Sequence, residues 1–178
     1  MIDAGEMHTA AKVSALLVTL LLTSACDKGK SGGGPSGSAA VPGPVTYKTG
    51  IAAYSGAYDG TKAVAYTSSE MTIFVPRDCP SFSCAYVKAG ANLDKDKLKA
   101  TCPKGQFMSI NVKPPSAPGK IQASSIGHSD ATGSANGLLT DTKDVEVLSV
   151  GASIVARVSA KGDESVEGVV GATVCPTK

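Results

Sequence analysis

Ser153-Ile-Val-Ala-Arg-Val-Ser-Ala-Lys-Gly-Asp-Glu-Ser-Val-Glu-Gly-Val-Val-Gly-Ala-Thr-Val174 carries the clearest structural signal in the chain. Ile154, Ala156 and Val158 alternate with Ser153, Val155, Arg157 and Ser159. Val166, Val170, Ala172 and Val174 share one parity and face away from Ser165, Glu167 and Thr173. A period of two sends successive side chains to opposite faces, so both runs read as half-buried strands. Lys161-Gly162-Asp163 lies between them and supplies the turn of a hairpin.

The same period recurs upstream. Met71, Ile73 and Val75 alternate with Glu70, Thr72 and Phe74; Met108, Ile110 and Val112 alternate with Phe107, Ser109 and Asn111. Asp59-Gly60 predicts another tight hairpin, because glycine tolerates positive φ. Further strands are expected near 45–54, 62–67, 83–88, 119–126 and 144–150. Ser125 to Gly137 is rich in Gly, Ser, Asp and Asn and reads as a loop. Leu93 to Ala100, with Asn92 as its N-cap, is the one helical candidate, at most two turns long. About eight to ten short strands, with turns roughly every 8–12 residues, predict an all-β fold: an antiparallel β-sandwich or small barrel. That domain is expected to span 45–178. At this size it buries roughly two-thirds of its unfolded surface and needs no metal to hold a core.

Composition removes several function classes. The 178 residues include no Trp, 5 Tyr and 3 Phe, which argues against stacking nucleic-acid bases on aromatic platforms. A net charge of +2 argues against a strong basic field. With only 2 His, metal sites and general bases have few candidates.

Towards the N-terminus, Lys12 precedes the apolar run Val13-Ser-Ala-Leu-Leu-Val-Thr-Leu-Leu-Leu-Thr-Ser-Ala25, which ends at Cys26. The run is short of the roughly 20 residues a membrane-crossing helix needs. A basic flank, an apolar centre and a small-residue cleavage site are the parts of an export signal. Leu22-Thr23-Ser24-Ala25-Cys26 resembles the lipobox of bacterial lipoproteins, with Thr23 where that family usually has Leu. The resemblance covers residues 7 to 26. It implies cleavage before Cys26, a diacylglycerol on the Cys26 thiol and an acyl chain such as palmitate on the new amine. Two or three acyl chains hold a protein firmly to a membrane. Asp3 and Glu6 have the wrong sign for the flank of an export signal, so translation is expected to begin at Met7 rather than Met1. The expected organisation is a signal peptide at 1–25, the lipidated Cys and a flexible linker at 26–44, and the β-domain beyond. From Asp27 to Pro44, twelve of 18 residues are Gly, Ser or Pro, a composition that buries too little apolar surface to fold.

Ser165 to Pro176 resembles the closing strand of uncharacterised exported bacterial lipoproteins, which end in a Val-x-Gly…Ala-x-x-Cys-Pro run. The resemblance implies an antiparallel β-domain with a tied C-terminus and implies no activity. Besides Cys26, the chain has Cys79, Cys84, Cys102 and Cys175, an even number that predicts two disulfides in an exported protein. Four residues separate Cys79 from Cys84, unlike the two of a redox CxxC motif, and no second close pair completes a zinc site. Of three connectivities, the bend at Pro80 favours Cys79–Cys84 with Cys102–Cys175, and Cys84–Cys102 with Cys79–Cys175 is its rival.

His128, in Gly127-His-Ser-Asp130, could serve as a base oriented by Asp130. Neighbours two apart in a loop seldom reach triad geometry, and no Gly-x-Ser-x-Gly elbow is present. The expectation is a solvated histidine whose removal costs less than about 0.5 kcal/mol. Asp94 and Asp96 are interleaved with Lys95, Lys97 and Lys99 and read as a solvated face rather than a calcium loop. Asp141, Asp144 and Glu146 could pair as acid and base in glycoside hydrolysis, but carboxylates flanking strands usually face water. No phosphate loop or dinucleotide fingerprint occurs. Without Asp3, Glu6 and Lys12 the net charge is +3, compatible with mild attraction to anionic lipid or cell-wall polymer and too small for a nucleic-acid partner. The sequence therefore reads as a membrane-anchored lipoprotein of the cell envelope, periplasmic or surface-exposed. Its expected role is binding or structural, with no catalytic residue, metal or cofactor. The alternatives are a small envelope hydrolase acting on polysaccharide or peptide, and an accessory or inhibitor subunit of an envelope complex.

Overall fold

The structure, a computed structural model, describes residues 40–132, 135–138 and 142–177. The expected signal peptide, Cys26 and the linker up to residue 39 lie outside the described residues, as does Asp141. The strands are β1 (Pro44–Lys48), β2 (Gly56–Asp59), β3 (Val64–Thr67), β4 (Met71–Arg77), β5 (Val87–Lys88), β6 (Asn92–Leu93), β7 (Gln106–Val112), β8 (Gly119–Asp130), β9 (Ala135–Leu138), β10 (Thr142–Ser149), β11 (Ser153–Lys161) and β12 (Ser165–Val174). One α-helix, α1 (Lys95–Thr101), lies between β6 and β7.

Seven strands close into a barrel, in the order β11-β10-β8-β7-β4-β3-β12 and back to β11. The fold is all-β, and among the alternatives expected it is the small barrel. Closure depends on β12. One edge of β12 pairs with β11 along most of its length, from Ser153↔Thr173 to Ala160↔Val166. The other edge is shared. Its start pairs antiparallel with β1, at Tyr47↔Val166, and its end pairs parallel with β3, at Thr173↔Val64. Between these partners, Val169 accepts a bond from the Gly43 N–H (3.1 Å), and Gly43 in turn accepts one from the Gly60 N–H (3.0 Å). Three chain segments meet there with no room for side chains. A Cβ at Gly60 would lie 2.6 Å from the Val169 oxygen, and one at Gly168, whose φ is +155°, would lie 2.8 Å from the Pro44 oxygen.

The Lys161-Gly162-Asp163 hairpin between β11 and β12 is as expected. The Asp59-Gly60 hairpin is not. Asp59 instead caps a 3-10 turn at Gly60–Lys62 by accepting from the Thr61 N–H (2.9 Å), and β2 pairs with β1 rather than β3. The helix starts later than expected, with Asp94 as its cap instead of Asn92. The 83–88 stretch holds a 3-10 turn at Cys84–Tyr86 before the two-residue β5. The loop expected at 125–137 is in large part strand. β8 continues to Asp130 and pairs with β7 through Gln106↔Asp130, and β9 returns alongside it.

The alternating apolar residues do face inward. Met71, Ile73, Val75, Met108, Ile110, Ile154, Ala156 and Val158 fill the barrel together with Tyr47 and Tyr58. Yet β4 is buried on both faces, because residues 78–105 fold over the outside of β3, β4 and β7. This outer cap builds a second core, in which Phe82 packs against Phe107 (ring centroids 5.0 Å) and Tyr86 (5.8 Å), with Leu98 and Phe74 beside them.

Two disulfides pin the cap, and the pairing is neither of those weighed from sequence. Cys79 joins Cys102, with Cα atoms 5.2 Å apart, and Cys84 joins Cys175, 5.4 Å apart. Phe82 supplies the physical reason. It turns inward between Cys79 and Cys84 to fill the cap core, so that segment spreads across the core and does not close on itself. Cys79 is left facing the end of α1, and Cys84 faces the end of β12.

Chain entropy assigns ~3.4 kcal/mol to the Cys79–Cys102 loop and ~4.6 kcal/mol to the Cys84–Cys175 loop. Cys84→Ala should therefore destabilise more than Cys102→Ala, the reverse of the order implied by the pairing favoured from sequence. Urea unfolding of both variants checks this, and non-reducing peptide mapping should find Cys84 joined to Cys175. Gly60→Ala should cost ~1–3 kcal/mol through crowding at the β12 edge, measured by the same unfolding curves.

Candidate functional site

At one end of the barrel, a polar and aromatic cluster replaces the aliphatic core. That end is marked by Arg77, Gln106 and Asp130, which lie in one row across β4, β7 and β8. Residues 49–55 stretch over it. The Gln106 side-chain N–H donates to the Ala53 carbonyl (2.9 Å), and the Arg77 guanidinium donates to the Ser55 carbonyl (2.8 Å). The Tyr54 hydroxyl donates to Asp130 (3.0 Å), and the Thr49 hydroxyl donates to Glu164.

His128 sits beneath this strap, only 2% exposed. Its Nδ1 is hydrogen-bonded to the Tyr47 hydroxyl (2.9 Å), and the Tyr54 ring lies over it, centroids 4.0 Å apart. The expectation of a solvated loop histidine is therefore overturned. On β8, Ile126 and His128 turn inward while Ser125, Gly127 and Ser129 turn outward, an alternation hidden by the loop-like composition. Burial lowers the pKa of His128 below its ordinary 6.5, partly offset by Glu164. Burial also raises that of Tyr58 to about 12. Asp130 is bonded to Tyr54 and to the Thr132 N–H (2.8 Å) and hydroxyl (2.5 Å).

The second feature is a cleft of about 390 Å³ on the outer face of β7 and β8, walled on its far side by β6 and the first residue of α1. Ser109 and Asn111 of β7 and Ser125 and Ser129 of β8 face into it, with Phe74 at the base and Lys95 on the opposite wall. Thr72, Asn111 and Ser125 form a row across three strands. The Thr72 hydroxyl donates to Asn111 (2.6 Å), whose amide donates to Ser125 (2.7 Å). Gly127 offers no side chain between Ser125 and Ser129, and this deepens the floor.

The remaining candidates fall elsewhere. Asp94 accepts from the Lys97 N–H (3.3 Å) and pairs with Lys88 (3.1 Å), which holds its carboxyl below the usual range. Asp96 stands exposed in the first turn of α1. Glu146 pairs with Arg157 on the outer face of β10 and β11, and Asp144 lies two residues away on the same face. Cys79, Cys84, Cys102 and Cys175 are all consumed in disulfides. Among the described residues, no three His, Cys, Asp or Glu side chains gather as a metal site. Sequence reasoning missed Tyr47, Tyr54 and Arg77 at the barrel end and Asn111, Ser129 and Lys95 in the cleft. The available signal for the first group was three of the five tyrosines falling between positions 47 and 58. No protein-family model, curated protein or solved structure matches the chain.

Because His128 is less basic folded than unfolded, the unfolded chain binds the extra proton as pH falls below about 6.5. Stability should therefore drop from pH 7 towards pH 5. His128→Gln should flatten that slope in thermal melts while lowering stability at pH 7. An unchanged slope would contradict the assignment. His128→Ala should now cost ~2–4 kcal/mol, since it empties a buried site and strands the Tyr47 hydroxyl.

Proposed function

We propose that the protein is a lipid-anchored component of the bacterial cell envelope whose β-barrel domain serves as a binding module. The observation that carries this reading is the run from Lys12 to Cys26. Its basic flank, 13-residue apolar stretch and Ser24-Ala25 before the cysteine suit export and lipidation at one place. The two disulfides of the domain support it from another direction, since such bonds persist in oxidising compartments outside the cytosol. The β7–β8 cleft is the surface best suited to a ligand. It is concave, it is walled by two separate parts of the chain, and it mixes polar groups with an apolar base. His128 is buried under Tyr54, so the geometry favours binding over hydrolysis.

The test is metabolic labelling with a tagged fatty acid. The wild-type protein should take up label and partition with membranes. Cys26→Ser should accumulate as an unlabelled, uncleaved precursor. Wild-type protein that is unlabelled and water-soluble would contradict the anchor.

A further inference from the structure

The cleft's side chains point to a ligand class. Ser109, Ser125 and Ser129 present hydroxyls, each able to donate and accept, and Asn92 and Asn111 present amides. These neutral, two-way groups match the ring hydroxyls of a sugar, which also donate and accept. Phe74 at the base is only 5% exposed, so the apolar contact falls to Leu93 on the far wall. A sugar ring can turn its C–H face to Leu93. Gly127 lets such a ring approach the sheet closely, a common use of glycine at ligand sites.

The charges refine this. Lys95 is exposed on the wall and forms no salt bridge among the described residues, whereas Lys88 is paired with Asp94 and Lys97 donates to the Ala85 carbonyl (2.9 Å). Asp130, at the cleft's end, is already bonded to Tyr54 and Thr132. Those donors are neutral, so Asp130 keeps its charge, and the cleft carries one cation at Lys95, one carboxylate at Asp130 and several neutral partners. A phosphate group calls for more, usually an arginine fork or several backbone N–H groups. An extended peptide calls for an open strand edge, and the floor here is a sheet face whose backbone groups are spent on the β7–β8 pairing.

We propose that the cleft between β6 and the outer face of β7–β8 binds an acidic saccharide, with the sugar ring over Gly127 and its single carboxylate on Lys95. This deepens the reading of the cleft as the binding surface and rests on it.

The experiment uses the full-length processed protein in detergent micelles, titrated with a glucuronic-acid disaccharide and with a neutral disaccharide of equal size. Amide chemical shifts are followed by NMR. The acidic sugar should shift Ser109, Asn111 and Ser129 and bind about tenfold more tightly than the neutral one, the scale of one charge-assisted bond. Lys95→Ala, an exposed change that leaves the fold intact, should abolish that preference, and Lys95→Arg should keep it. Equal affinity of the wild type for both sugars would overturn the proposal, as would shifts confined to other strands or tighter binding of inorganic phosphate. Labelled, membrane-bound protein that ignores both sugars would overturn the ligand class and leave the anchor standing. Unlabelled protein that binds the acidic sugar would do the reverse.

Discussion

Everything in this domain depends on how β12 divides one of its edges between two partners. A sheet left open presents a row of unpaired N–H and C=O groups to any passing strand. Here the start of that edge is taken by β1 and its end by β3, with Gly43 bridging the interval at Val169. The arrangement demands that three backbones pass within contact distance, so Gly60 and Gly168 sit where any Cβ would collide. Closure of the ring brings β4, β7 and β8 into the register that creates both the strapped end and the outer cleft.

The outer cap is the second consequence. A barrel strand normally shows its outer face to water, yet Val64, Tyr66, Phe74 and Phe107 make the outside of β3, β4 and β7 apolar. Residues 78–105 cover this face and, through their two disulfides, fasten both α1 and the chain's end to it. The cap also forms the far wall of the cleft, since Asn92, Leu93 and Lys95 belong to it. The walls of the cleft thus come from two cores, the barrel wall on one side and the disulfide-held cap on the other. Such walls restrict the side chains that face the cleft.

Much of the barrel was legible in the residues. The parity of Met71, Ile73 and Val75, of Met108 to Val112, and of the two closing strands was enough to orient four of the seven barrel strands, because one face of each meets an aliphatic core. The rest was hidden for identifiable reasons. The parallel contact of β3 with β12 joins segments far apart in the chain, and nothing local encodes it. His128 was concealed by Ser, Gly and Asp neighbours that resemble a loop, although Ile126 and His128 keep strand parity. The disulfide pairing turned on Phe82, whose inward turn is a tertiary event and overrides the short spacing of Cys79 and Cys84. The cleft was least legible, because Ser109, Asn111 and Ser125 become neighbours only through register between strands, and Lys95 only through the fold of the cap.

The central claim is the closed ring, and amide hydrogen exchange tests it most directly. The Thr173 N–H donates to the Ala63 carbonyl (3.0 Å), and the Cys175 N–H donates to the Ala65 carbonyl (2.7 Å); these bonds seal β12 to β3. In a closed barrel both amides should exchange as slowly as the interior amides of β4 and β7. Exchange of Thr173 and Cys175 at the rate of exposed loop amides, with β4 and β7 still protected, would show an open sheet and contradict the account.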